Sequence, residues 1–217
     1  LYADGVNSAS VLFYRYGLAV LMFGVLMLFR GEHFAIRPGH AIRFSLLGVF
    51  FAMSSTTLYV SFHHIAAGIA STLLFVYPVM TAVLMTVFFH ERVTWGTSIS
   101  ILLALLGVGL LYQGDGHARL STVGFTLVML SSFLYAVYII SVNRWHTDMS
   151  PLKFTFWVLV FCWATIGVFS VMSGEPLMLL HGPKQWGCAT QLALLPTVLS
   201  LFFMNLSLIH ISEPTRR

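Results

Sequence analysis

Acidic residues are scarce in this chain: seven Asp and Glu among 217 residues, and none falls inside a long apolar run. That absence removes carboxylate chemistry from those runs, whether an acid pair for hydrolysis, a proton relay or an oxygen cage for a cation. Cysteine is nearly missing as well. Cys162 lies inside one apolar run and Cys188 opens another, which gives neither a disulfide framework nor zinc spacing. His63, His64 and His90 make no metal pattern, and His90-Glu91 lacks the second His that a zinc-protease helix requires. No Gly-rich phosphate loop and no nucleophile–base pair occurs, so no metal, cofactor, catalytic residue or nucleic-acid partner is expected, and the chain does not read as an enzyme.

What the chain has is apolar length. Charged residues are 8% of it and hydrophobic ones 58%, where a soluble domain carries about 25% charged residues. Seven runs are long enough to cross a bilayer: Ser10–Phe29, Ile42–Phe62, Ala67–Phe89, Trp95–Tyr112, Thr122–Val142, Phe154–Met172 and Cys188–Leu206. A helix needs roughly 20 mainly apolar residues to do so. Helices are the expectation because lipid offers the backbone no partners. A β-barrel would show shorter segments with strict alternation. The fold class is therefore all-α, a polytopic membrane bundle. Ser173–Pro176, His181–Pro183 and Gln113–Gly116 are turn chemistry between spans.

Lys and Arg orient the bundle. With the first loop outside, the inner loops hold Arg30, Arg37, Arg43, Arg92, Arg144 and Lys153, and the outer ones only Arg119 and Lys184. That is a positive-inside bias. Tyr2, Trp95, Tyr112, Trp145 and Trp186 flank spans, where amphipathic rings favour the interface.

The ends read as cut. Leu1–Gly5 looks like a loop between spans, and Leu206–Arg217 resembles the in-frame translation of a transposase sequencing-library adapter. The span layout also repeats: the spans beginning at Ser10 and Phe154 are each followed by a long loop, Arg30–Ala41 and Ser173–Gly187, and each is preceded by a loop with one acid, Asp4 or Asp148. The offset is about 144 residues, or five spans. An odd number of spans threads the two copies in opposite senses, the inverted-repeat plan of secondary transporters. On that plan residues 1–112 are a first repeat without its first helix, 113–205 a second repeat without its last two, and 206–217 the adapter-like tail. Seven of roughly ten expected helices are then present.

Ala67–Gly109 carries a resemblance. It combines a small-residue helix start, Pro78 in mid-helix, Glu91-Arg92 at the helix end, and a following helix ending Leu106-Gly107-Val108-Gly109. Tyr14-Arg15-Tyr16 adds an aromatic-flanked Arg in the first span. Together these resemble the drug/metabolite transporter superfamily and, within it, the EamA-type permeases. The chain departs from the pattern at His90, where the family often has Gly before the Glu. The resemblance implies ten helices in two inverted halves around a central cavity for small solutes, with export as the expected direction.

Arg15 is the only charge well inside a span, about 9 Å along the axis from Ala9. It reads either as a site for an anionic group or as a side chain snorkelling to the outer headgroups. Pro78 lacks an N–H and frees a carbonyl near mid-membrane, which marks either a substrate-level break or a packing kink. Ser71, Phe75 and Pro78 share one helical face, as do Ser55, Tyr59 and Phe62, and Ser131, Tyr135 and Tyr138. Aromatic walls with a few hydroxyls suit amphipathic or amino-acid-like solutes. With Arg15, the substrate-binding candidates are Ser55, Tyr59, Ser71, Phe75, Pro78, Ser131, Tyr135 and Tyr138. Glu91 opposes the helix dipole that Arg92 favours, so a structural or gating role is expected, with Arg43 or Arg144 as partner. Gly96, Ser100 and Ala104 recur every fourth residue and favour close helix packing, within the bundle or across a homodimer.

Three functions fit a membrane bundle. A seven-helix receptor or sensor matches the count, but a retinal protein needs a Schiff-base Lys and Cys188–Leu206 has none. An intramembrane enzyme needs acid or His–acid pairs inside spans, and none occurs. The leading expectation is a secondary transporter of small metabolites in a bacterial inner membrane, with the lipid bilayer and a small-molecule substrate as partners.

Overall fold

The computed structural model describes residues 5–36, 38–90, 95–96, 98–99, 101–103, 106–107, 121–145, 149–174 and 176–200. Among these every regular element is helical: α1 Ser8–Phe29, α2 Pro38–Ser61, α3 Ala67–Leu74, α4 Tyr77–Phe89, α5 Thr122–Arg144, α6 Pro151–Met172, and α7 Gly182–Ala193 running into a π-helical turn, Leu194–Leu199. Among the described residues five stretches are long and apolar enough to span a membrane: Ser8–Phe29, Gly39–Ser61, Ala67–Phe89, Thr122–Arg144 and Pro151–Met172. The expected span Trp95–Tyr112 and the end of Cys188–Leu206 lie largely outside the described residues, as does the tail from Leu206.

Two helices are built alike from cap to cap. The Asn7 side chain accepts from the Ser10 N–H at 2.9 Å and starts α1. The Ser150 hydroxyl accepts from the Lys153 N–H at 3.2 Å and starts α6. Each such cap satisfies a backbone donor that the first turn leaves without a partner. Both helices are 22 residues long. Each ends before a glycine with left-handed φ, Gly31 at +65° and Gly174 at +67°. Gly31 and Glu32 donate to Leu28 and Met27 at 3.1 Å, the reciprocal pair that closes a Schellman motif.

The chain forms two compact units. The first comprises Leu1–Val49 and Thr147–Arg217. One face of α1, Leu12, Tyr16, Ala19, Phe23 and Met27, is at most 1% exposed. Leu159, Cys162 and Ile166 of α6 are likewise at most 1% exposed, as are Phe44 and Leu47 of α2. Phe13 and Trp163 rings lie 5.1 Å apart. Each ring rests on the other helix's glycine: a Cβ on Gly17 would stand 3.0 Å from Trp163 Nε1, and one on Gly167 3.5 Å from Phe13 Cε2. On α2, a Cβ on Gly48 would stand 2.6 Å from Phe161 Cβ and 2.8 Å from the Cys162 backbone nitrogen, so only glycine allows this approach. Side chains also tie down the ends of α1. Asn7 donates to the Pro176 carbonyl at 3.1 Å, Ser10 accepts from the Met178 N–H at 2.8 Å, and Ser150 donates to Glu32 at 2.5 Å. The α7 helix begins earlier than the sequence pattern indicates, at Gly182 rather than Cys188. Pro183 sits in its first turn, where the missing N–H costs nothing, and Gln185 reaches back to accept from the His181 N–H at 2.7 Å.

The second unit is Phe50–His146. Its core is Ile65, Ala70, Leu73 and Val128, with Leu58, Phe62, Ile69, Leu74 and Met129 packed around them. The expected single span Ala67–Phe89 is two helices here, broken at Phe75 and Val76. Both of these residues bond three positions back, to Thr72 and Leu73. A span apolar on all sides also leaves its facing residues undetermined by pattern alone.

Candidate functional site

In the second unit the chemistry gathers around the break. Pro78, four residues after Leu74, has no N–H for the Leu74 carbonyl. The fully buried Ser132 supplies the missing donor, its hydroxyl reaching that carbonyl at 3.3 Å. Next to it Ser131 and Ser54 form a crossed pair. Ser54 Oγ donates to the Ser131 carbonyl at 2.9 Å, and Ser131 Oγ donates to the Ser54 carbonyl at 2.7 Å. Both serines are buried, so this pair ties α2 to α5.

An aromatic wall continues from there. The Tyr135 ring meets Tyr77 edge-on at 4.8 Å and stacks on Tyr138 at 5.8 Å. Phe51 lies 5.1 Å from Tyr138 and 6.2 Å from Tyr135. The structure thus joins the nominated Tyr135 and Tyr138 to Phe51 and Tyr77 from other helices. Tyr59 is buried and pairs with Phe62 at 5.1 Å, while Ser55 is half-buried on the same helix. Ser71, Phe75 and Pro78 are exposed, and the Ser71 hydroxyl donates back to the Ala67 carbonyl at 2.7 Å. Arg144 lies over the Phe89 ring at 4.0 Å. Glu91, Arg92, Ser100 and Ala104 fall outside the described residues; Gly96 is helical and exposed. His90, where the family pattern often has Gly, closes α4 with φ 54° and ψ 27°, a left-handed conformation that glycine adopts without strain.

Arg15 belongs to the first unit. Its Nε donates to Thr197 Oγ1 at 3.3 Å, and its guanidinium carbon lies 5.2 Å from the Tyr16 ring centre. Thr197 sits in the π-helical turn and is 3% exposed. The guanidinium is therefore directed across to α7. An apolar recess of about 410 Å³ also opens in this unit, lined by Phe13, Trp163 and Gly167 among others, and includes none of the nominated residues. Ser54, Ser132, Tyr77 and Thr197 are the polar groups that sequence reading passed over. For Thr197 the available signal was Pro196, a second proline inside a span. Among the described residues no His, Cys, Asp and Glu cluster could hold a metal.

A broken span braced by hydroxyls, within a chain of apolar helices, agrees with the sequence match. Residues 1–113 match the EamA-like transporter family. The chain belongs to that family. It is a multi-pass membrane protein and sits among transporters rather than enzymes. A probable terminal-alkyne amino-acid exporter of Streptantibioticus cattleyicolor is 33% identical over 75 residues, 35% of this EamA-like chain and 25% of that protein. The uncharacterized transporter YyaM of Bacillus subtilis is 21% identical over 199 residues, 88% of the chain and 65% of the relative. The biotin transporter of Salmonella typhimurium is 25% identical over 214 residues, 94% and 67% respectively. The EamA-like chain thus spans no more than about two thirds of the length of these curated relatives. No solved structure matches it significantly.

Proposed function

We propose that this chain serves a secondary transporter that exports small metabolites, amino acids or amphipathic acids, across a bacterial inner membrane. The break at Phe75–Val76 carries the reading. Discontinuous helices near mid-membrane are where transporters of this plan bind their cargo, because non-helical backbone in lipid persists only where protein or a cavity satisfies it. Tyr77, Tyr135 and Tyr138 offer a wall for an apolar or aromatic moiety beside that break. Arg15, in the first unit, is by itself a candidate to pair with a carboxylate, a group that amino acids and biotin share. Ser55, Tyr59, Ser71, Phe75, Pro78 and Ser131 complete the candidate set of the second unit.

Alternating access between two inverted halves is the proposed mechanism. The equal lengths and equal caps of α1 and α6 support it, since copies of one ancestral helix would share both their start and their stop signals. The test is counterflow of labelled amino acids and of biotin by the full-length protein in proteoliposomes. Exchange of at least one carboxylate-bearing solute, weakened by Tyr135→Ala, is expected. Absence of exchange for every member of the panel would overturn the proposal.

A further inference from the structure

Thr197 is a nearly sealed hydroxyl in a stretch of otherwise apolar residues, Leu194 to Leu199, and it faces Arg15, a cation two turns inside α1. We propose that Thr197 is a positioning residue, which holds the Arg15 guanidinium turned into the membrane for a carboxylate-bearing solute. This rests on the reading of Arg15 given above.

Depth carries the inference. The Tyr14 ring meets the Trp186 ring at 5.5 Å. The adjacent residue, Arg15, reaches Thr197, eleven positions past Trp186 and about 16 Å further along that helix. A snorkelling Arg would extend the other way, toward the outer headgroups where Trp186 belongs. The Tyr14–Trp186 pair instead lies on the interface side of the guanidinium. The π turn is part of the device. It carries one more residue than an α turn, as such bulges do at functional sites, and it turns the Thr197 hydroxyl toward α1.

The bond is made by Nε, at the elbow of the side chain. Fixing Nε fixes the plane of the guanidinium and so the direction of its two Nη groups, the edge that pairs with a carboxylate in parallel. Without Thr197 the same charge remains, but the plane of the guanidinium loses the restraint at Nε. Selectivity for an acid over its amide should then fall, while neutral binding is retained.

The experiment measures binding of phenylalanine against phenylalaninamide, and of biotin against biotinamide, to the full-length protein in detergent. Parent, Arg15→Gln, Thr197→Val, Thr197→Ala and Thr197→Ser are compared, each checked for an unchanged melting temperature. The parent should prefer the acids. Arg15→Gln should erase that preference. Thr197→Val and Thr197→Ala should cut it about tenfold, as expected for one lost hydrogen bond to a charged group, and Thr197→Ser should restore it. If Arg15→Gln erases the preference and the Thr197 variants keep it, the positioning role is overturned and the Arg15 reading stands. Equal losses for acid and amide in the Thr197 variants would mark a purely structural bond and overturn it as well. A parent without acid preference would overturn both.

Discussion

The Ser132 hydroxyl donates to the carbonyl of Leu74 at 3.3 Å, the carbonyl that Pro78 cannot reach. A proline that breaks a helix in lipid leaves an acceptor that must be satisfied from elsewhere. Here a buried serine on α5 takes that role. Removing the serine should cost about 1–2 kcal/mol with Pro78 in place. With Pro78→Ala, a new N–H can close the ladder and the cost of Ser132→Ala should shrink toward zero. Unfolding of the four proteins of this cycle in detergent measures the coupling, and equal costs in both backgrounds would refute the pairing.

Ser54 and Ser131 should behave non-additively. Each hydroxyl donates to the other residue's carbonyl. The two hydroxyl oxygens also lie 3.1 Å apart, so losing one alters the setting of the other; either single Ser→Ala change should destabilise by about 1 kcal/mol, whereas the double variant should cost less than the sum. The check is the same unfolding assay; strict additivity would show that the two hydroxyls act independently.

His90→Gly should stabilise the protein by about 1 kcal/mol, because a side chain at φ 54° carries a steric penalty that glycine avoids. A rise in melting temperature is the expected readout. A fall would mean that the imidazole makes a compensating contact.

Gly48→Ala should destabilise by about 1–3 kcal/mol, since its Cβ would meet the α6 backbone within 2.9 Å. Gly39→Ala, with nothing within 4 Å of the added methyl, is the matched control. Similar melting temperatures for the two variants would contradict the close approach of α2 and α6.

Helix existence was legible in the sequence because apolar length in lipid leaves the backbone one solution. The last residues of α1 and α6, Phe29 and Met172, match the sequence reading, whereas both helices start earlier than Ser10 and Phe154, at Ser8 and Pro151, where Asn7 and Ser150 cap them. Facing was not legible. Ser55 and Ser54 are equally plausible on a helix that is apolar all round, and only the α5 neighbour selects Ser54. The same holds for Ser131 and Ser132, which split between a clamp and a carbonyl brace. Pro78 announced a break just ahead of itself, but that Ser132 would satisfy the freed Leu74 carbonyl depends on a neighbouring helix. Thr197 stayed hidden because a π turn shifts the phase from which any face is counted.

That turn also separates the register of the two ends of its helix. Deleting one residue between Leu194 and Leu199 would let the ladder relax to ordinary α geometry without a gap. A deletion ahead of Thr197 would then change the phase at which that hydroxyl leaves the helix. Shortening the chain by a single apolar residue ahead of Thr197 is therefore a route to re-aiming that hydroxyl while the Trp186 anchor stays where it is.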